Sequence, residues 1–428
     1  MSGRPFGLRL YRLATWLAQH FAPALLKARA RRGKEDPERL PERLGKTERA
    51  RPDGPLVWLH GASVGESLSL IPLVKSLGAR RPDLALLVTS GTVAAAEMMA
   101  KRLPPEAMHQ FAPVDTPDAA ARFLEHWRPA LAIFVESELW PNLILQARRE
   151  GVRLALLSAR LSEDSLQGWS KAPGSAAAVL SAFDLVMAQD DITAARLASL
   201  GARDDGRLNL KLAGDPLPAD AMKFQAARVG AGKRPMLLAA STHPGEDEMV
   251  LDAFRELAFR RDAPMLVIVP RHPIRGPGIA ELAAQRRFKV DRRGAGAVFG
   301  GAQVYVADTL GELGLWFRLA GGAFIGGSLV KGPGGHNPVE PARLSCPFVV
   351  GPYTDNWSRI LDLFRDEGAV VEVGNAAGLA KAFAAMLDKP KDALAQADRA
   401  RSIAEMQTGA VEEAVDRLVE LLPAEEEA

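Results

Sequence analysis

Residues 56–67 read L-V-W-L-H-G-A-S-V-G-E-S, an apolar run of strand length that breaks at a glycine turn and opens a helix. Residues 56–59 carry no polar side chain that would face water, so the strand is expected to be buried on both faces. Strands of a parallel sheet covered by helices look like this. The pattern recurs outward from this stretch. "LALLVTS", "LAIFVES", "RLALLSA" and "LVMAQ" follow in the first half of the chain. In the second half come "PMLLAAS", "PMLVIVP", "QVYVAD", "GAFIGGS", "PFVVG" and "AVVEVG". Between the two series, "LAGDPLPADAMKFQAARVGAGKRP" is rich in Pro, Gly and Ala and reads as a linker. Two doubly wound α/β domains are therefore expected, with ligands at the carboxyl ends of their strands. The expected units are residues 1–50, a basic amphipathic segment, then 51–212, then 213–428 with a C-terminal helix.

The chain has 428 residues, 47% hydrophobic and 25% charged, a soluble balance with length for two domains. Cys346 is the sole cysteine, so no internal disulfide can form. The net charge of +2 hides an asymmetry: residues 1–34 hold eight Arg or Lys and no acid, leaving 46 basic against 52 acidic residues, or −6, beyond them. That balance argues against a nucleic-acid surface spread over the fold. Leu10, Leu13, Leu17 and Phe21 recur at helical spacing with Trp16 beside them. The uncharged stretch, residues 13–26, is shorter than the roughly 20 residues a membrane span needs. A basic amphipathic helix of this kind is expected to lie on an anionic membrane surface, against the plainer reading of a helix packed on its own domain.

The turn after "LVWLH" admits several chemistries. G-A-S-V-G matches the G-x-S-x-G elbow of a serine hydrolase with Ser63 as nucleophile, but several strands precede the elbow in that fold and none is evident in residues 1–54. A phosphate-binding P-loop would need lysine where Glu66 stands. What remains is a carboxylate at a helix start, where the positive end of the helix dipole favours it. Such a group can take the proton of a hydroxyl as it attacks. The plain alternative is a glutamate that merely decorates the first turn. "FVESELWPN" adds Glu136 and Glu138 at the end of another apolar run, before a helix start at residues 140–142.

The second half carries the signature of a nucleotide. "FIGGSLVKGPGGHNPVEPA" runs from a strand through five glycines into a helix, with Asn337, Pro338 and Glu340 expected at its N-cap, N1 and N3 positions. Backbone amides at a glycine-rich helix start bind anions, and Glu340 would accept hydrogen bonds from ribose hydroxyls. "VPRHPIR" puts Arg271 and His272 directly after a strand, where arginine can pair with phosphate. "ADTLGEL" places Gly311, Glu312 and Leu313, and "AASTHPGEDE" places Ser241, Thr242 and Glu246, early in further helices. The chain contains no D-x-D, H-x-x-x-H or H-E-x-x-H, so no metal is expected.

Taken in order, "YRLA", "RRGKEDPERLPERLGK", "HGASVGES", "VESELWPN", "SARLSEDS", "STHPGEDE", "VPRHPIR", "DTLGEL", "GGSLV" and "GGHNPVEPA" resemble the 3-deoxy-D-manno-octulosonic acid (Kdo) transferases of lipopolysaccharide synthesis. The resemblance spans nearly the whole chain. It implies a GT-B glycosyltransferase: two Rossmann-like domains facing a central cleft, with an N-terminal amphipathic anchor helix. The activity it implies is inverting, without metal or cofactor, at the cytoplasmic face of the bacterial inner membrane. CMP-Kdo would be the donor, held by residues 213–428, and a lipid A precursor the acceptor, held by 51–212. By motif position Glu66 resembles the family's general base, while Glu136 and Lys211, the lysine of "NLK", resemble residues that stabilise the transition state. Arg271, His272, Gly311, Glu312, Leu313, Asn337, Pro338, Val339 and Glu340 resemble its CMP contacts. Leu208 stands where the family usually has glycine, and Tyr353 where it often has histidine. Another GT-B nucleotide-sugar transferase is the nearest alternative.

Overall fold

The computed structural model describes residues 5–214 and 216–424. They divide into two compact units, one running to Gly214 and resuming at residue 407, the other ending at Met406. The first is built on β1 (Leu56–His60), β2 (Ala85–Ser90), β3 (Ala107–Phe111), β4 (Leu131–Val135), β5 (Arg153–Ala159) and β6 (Leu185–Ala188). Every neighbouring pair is parallel, in the order β3-β2-β1-β4-β5-β6. The chain winds outward from β1 to one edge and then returns to β4 on its other side. That reversal opens a crevice beyond the carboxyl ends of β1 and β4, where a doubly wound sheet binds its ligand. The strands are apolar throughout because both faces are covered. Trp58 and Phe134 pack into one layer with Phe123 and Trp127; Leu59 and Ile133 pack into the other with Leu70 and Leu73.

The second unit contains β7 (Met236–Thr242), β8 (Met265–Pro270), β9 (Val290–Arg292), β10 (Val304–Val306), β11 (Gly322–Ile325), β12 (Phe348–Val350) and β13 (Val371–Glu372). They form one parallel sheet in the order β13-β12-β11-β7-β8-β10-β9. Here the winding reverses between β7 and β11, so the corresponding crevice lies beyond the carboxyl ends of those two strands.

Three features depart from the reading of the sequence. β3 and β9 lie outside the apolar runs: each edges its sheet, and residues such as His109, Gln110 and Asp291 break the hydrophobic pattern there. The stretch read as linker contains the helix Ala221–Ala231, capped by Asp220 Oδ1, which accepts from Lys223 N at 2.8 Å. Only Ala227 of that helix is buried, so little apolar periodicity marks it. Finally, the C-terminal helix Pro390–Glu420 does not belong wholly with the expected 213–428 unit. Val411, Ala414, Val415 and Leu418 are buried in the first unit's core with Val57, Leu59 and Val88, and it is this burial that ties the chain's end to that unit.

The N-terminal segment also belongs to the first unit. It forms the helices Phe6–Ala18 and Ala22–Ala30, which bury Leu8 and Leu26. Leu10, Leu13, Trp16, Leu17, Phe21 and Leu25 remain exposed. Among the described residues no helix is long and apolar enough to cross a membrane.

Candidate active site

In the first unit the turn after β1 leads into the short helix Val64–Ser69, N-capped by Ser63. Glu66, half-buried on its first turn, folds back over the cap. Its Oε2 accepts from Ala62 N at 2.8 Å and its Oε1 from Ser63 Oγ at 2.7 Å. Ser63 therefore gives its proton to a carboxylate, and its extended φ of −98° is not that of a strained nucleophile elbow. Among the described residues no histidine bonds to it, which removes the arrangement a serine hydrolase requires.

Glu136 follows β4 and is 7% exposed. Its φ of 57° is left-handed, a conformation that costs a non-glycine residue about 1–3 kcal/mol and that clusters at functional sites. Lys211 Nζ lies 2.6 Å from Glu136 Oε1. This is an ion pair by distance, although its angles fall outside hydrogen-bond geometry and leave that oxygen without a directed donor. Two residues hold the lysine in place. Asn209 Oδ1 caps its backbone N–H at 3.2 Å, and Ser158 Oγ accepts from the adjoining Leu210 N at 3.2 Å. Ser158, after the middle of β5, is itself left-handed, at φ 51°. Leu208 is fully buried in the core beside this turn.

Glu138 joins the two loops. Its Oε2 lies 3.3 Å from His60 Nε2 and accepts from Trp140 Nε1 at 2.5 Å. Thr89 Oγ1 accepts from Trp58 Nε1 at 2.8 Å and lies 2.9 Å from His60 Nδ1, nearer than its other acceptor, Leu59 O, at 3.5 Å. The threonine proton thus goes to Nδ1 and leaves Nε2–H to point at Glu138. The loops that carry Glu66 and Glu136 are thereby tied together at the switch point of the first sheet.

In the second unit the expected residues follow four strands that are neighbours in the sheet: β11, β7, β8 and β10. Arg271 and His272, after β8, are exposed, and among the described residues no partner engages the Arg271 guanidinium. His243 lies 6.3 Å from the His272 ring, and its Nε2 is 2.8 Å from His336 Nε2. One of those two nitrogens must carry a proton and the other a lone pair. Burial, reinforced by His243, Arg271 and His272, holds His336 down at about 4, so the pair is neutral near pH 7. Glu340 also feels Arg271. Burial pushes its carboxyl up to about 7, against the opposing pull of the Asn337 hydrogen bond and Arg271.

The expected helix start there shifts by one residue. The helix is Val339–Arg343 with Pro338 in the cap position, while Asn337 Oδ1 accepts from Val339 N at 3.0 Å. Gly311 and Glu312 lie just before the helix Leu313–Leu319, with Glu312 in the cap position and Leu313 as its first residue. The Glu312 side chain, however, is taken up in an ion-pair cluster: it receives Arg293, Thr309 and Lys223. Burial alone would raise its pKa, but those donors outweigh it and hold the carboxyl at about 2. The Glu312 side chain is therefore occupied within the protein, and its carbonyl accepts from Leu315 N at 3.0 Å, which leaves the backbone N–H groups of residues 311–313 to meet a ligand.

The residue that organises this region is Glu246, fully buried. Its Oε2 accepts from His243 N at 2.9 Å and Gly327 N at 2.7 Å, and its Oε1 from Ser328 N at 3.0 Å and Leu329 N at 2.9 Å. One carboxylate thus pins the start of the glycine-rich loop to the loop after β7. Gly326 is required there, since an added Cβ would come within 2.5 Å of Ser241 O. In sequence, Glu246 cannot be told from an ordinary first-turn glutamate. His60 and His243 gave no signal beyond their places in two motifs.

Comparison with known proteins places these loops in context. A family model described as 3-deoxy-D-manno-octulosonic-acid transferase matches residues 38–213. A probable mitochondrial 3-deoxy-D-manno-octulosonic acid transferase of Arabidopsis thaliana is 33% identical over 402 residues, 90% of this chain and 89% of that protein. The 3-deoxy-D-manno-octulosonic acid transferase of Haemophilus influenzae is 34% identical over 82% of this chain and 84% of its own. Among solved structures, a glycosyltransferase of Rickettsia africae covers 86% of this chain and 99% of its own at 11% identity, with a TM-score of 0.56. That likeness, with the two parallel doubly wound sheets, establishes a GT-B-like fold.

Proposed function

This chain belongs to the 3-deoxy-D-manno-octulosonic acid transferase family, a family of glycosyltransferases, and from that membership we propose the reaction it carries out. The enzyme moves Kdo from CMP-Kdo to a hydroxyl of a lipid A precursor by a single inverting displacement. Glu66 takes the hydroxyl proton as the acceptor oxygen bonds to the anomeric carbon. The bond from that carbon to the phosphate oxygen breaks, and its electron pair leaves with CMP. Lys211, held against Glu136, and the exposed Arg271 supply the positive charge that the transition state and departing phosphate call for, and no metal is needed. Glu340 takes the ribose hydroxyls, and the loop pinned by Glu246 presents backbone amides to the phosphate.

The observation that most supports this reading is the convergence of Glu66 and the Glu136–Lys211 pair on the switch point of one sheet. The exposed leucines and aromatics of residues 6–25, beside an acid-free basic run, suit a peripheral seat on the anionic cytoplasmic face of the inner membrane, where such an acceptor resides. The test is to incubate the protein with CMP-Kdo and a lipid A precursor and to weigh the lipid. A mass gain of one or more Kdo units with release of CMP supports the proposal. CMP binding without a mass gain would reject the acceptor, and transfer from a UDP-sugar instead would reject the donor.

A further inference from the structure

The first unit holds an apolar groove of about 490 Å³ that the transfer chemistry leaves unused. Leu8 and Tyr11 form one wall, Leu139 and Trp140 a second, and Gly168 and Trp169 a third. We propose that this groove seats an acyl chain of the acceptor, so that the enzyme recognises the lipid's tail as well as its sugar; the inference rests on the functional reading above.

The lining is mostly apolar, with the hydroxyls of Ser165 and Ser175 at its edge, and the polar atoms of its two largest hydrogen-bonding rings, those of Tyr11 and Trp140, are engaged elsewhere. Tyr11 gives its hydroxyl proton to Asp115 Oδ2 at 2.8 Å, and Trp140 gives its indole N–H to Glu138 Oε2 at 2.5 Å. What those two rings present to the groove is hydrocarbon, which suits an alkyl chain and offers no donors or acceptors to an extended peptide. The two ends of the groove define the rest of the occupant. Its Leu139–Trp140 wall continues the loop that begins at Glu136, and Glu138 of that loop meets His60 beside the Glu66 turn. Its opposite wall is the helix Phe6–Ala18, whose exposed Leu10, Leu13 and Leu17 form an outward apolar face. A molecule that reaches from the reacting hydroxyl to that face is polar at one end and apolar at the other.

The groove is also rigidly built. Asp115 accepts from Leu143 N at 2.8 Å and Asn142 N at 3.2 Å as well as from Tyr11, and Asn142 Nδ2 donates to Thr15 Oγ1 at 3.0 Å. The N-terminal helix is thus fastened to the helix that follows Trp140, which fixes the distance between the two walls.

Gly168 provides the test. It lies in the helix Glu163–Ser170, and a Cβ added there meets nothing within 4 Å. Gly168→Leu therefore fills the groove while improving helix propensity, so the fold should survive. Transfer is measured to an acylated acceptor and to its deacylated, water-soluble derivative, with partition onto phosphatidylglycerol–phosphatidylethanolamine vesicles alongside. Gly168→Leu should raise KM for the acylated acceptor at least tenfold, and Gly168→Ala by less. The deacylated acceptor, KM for CMP-Kdo and vesicle partition should each change less than twofold. An unchanged KM for the acylated acceptor overturns the proposal, as does an equal loss on both acceptors. A parallel fall in vesicle partition would instead assign the groove to the membrane. If the native protein transfers Kdo to neither acceptor, the functional reading itself fails, and the groove proposal with it.

Discussion

Replacing Glu246 by glutamine tests whether one buried carboxylate organises the loops of the second unit. The carboxylate accepts four backbone N–H bonds, two on each oxygen. An amide keeps one oxygen and turns an NH2 group toward the other two donors, so two backbone amides lose their acceptor whichever way it is oriented. Each orphaned buried donor costs about 1–3 kcal/mol, and relief of the buried charge offsets part of the sum, so the variant should lose between about 2 and 4 kcal/mol. For a unit the size of residues 216–406 this lowers its melting temperature by about 10 °C. Scanning calorimetry of the whole chain should show one transition moved and the other in place. Glu248→Gln, on an exposed neighbour, should stay within about 0.5 kcal/mol of the native protein. CMP affinity should fall in the Glu246 variant as well, because the loop start at residues 327–329 loses its tether. A Glu246→Gln protein as stable as Glu248→Gln would show that the four amides do not depend on the carboxylate.

Other consequences can be checked separately. Lys211→Met removes the cation beside Glu136 and should lower kcat about a hundredfold in the transfer assay while CMP binding persists, with Lys211→Arg recovering part of the rate. Glu340 is held protonated up to about pH 7, and its ionised form is the better acceptor for ribose hydroxyls. CMP affinity measured by calorimetry should therefore strengthen as pH rises from 6 to 8, and Glu340→Gln should flatten that dependence. The same shift has an opposite sign for folding: a carboxyl whose pKa is raised in the native state binds its proton more tightly there. Its contribution to stability is thus lost as pH climbs from about 4.5 through about 7. Leu10→Glu with Leu13→Glu should weaken sedimentation with anionic vesicles at least tenfold without altering the melting temperature, since both side chains are exposed.

The sequence made the central strands legible because they are buried on both faces, and residues 56–59, 131–135 and 265–270 announce themselves by unbroken apolarity. The edge strands β3 and β9 are half polar and escaped for that reason, as did the helix Ala221–Ala231, which buries almost nothing. Candidate residues could be found where a motif ends a strand, which covers Glu66, Glu136, Arg271 and Asn337. Three things could not be read locally. The left-handed backbone at Glu136 and Ser158 depends on tertiary constraint. The pairing of Glu136 with Lys211 joins residues far apart in the chain. The four amides collected by Glu246 come from two separate loops. Glu312 shows the converse, since a residue in the right motif has its side chain committed to Arg293, Thr309 and Lys223.

The central claim is that Glu66 accepts the proton of the attacking hydroxyl, and a comparison of Glu66→Gln with the native protein measures it most directly. Glutamine can still accept Ala62 N–H but cannot take up a proton. Kdo transfer from CMP-Kdo should fall by a factor of about 100 to 10,000 in Glu66→Gln while CMP affinity and melting temperature hold. Transfer by Glu66→Gln at a rate near that of the native protein would contradict the claim.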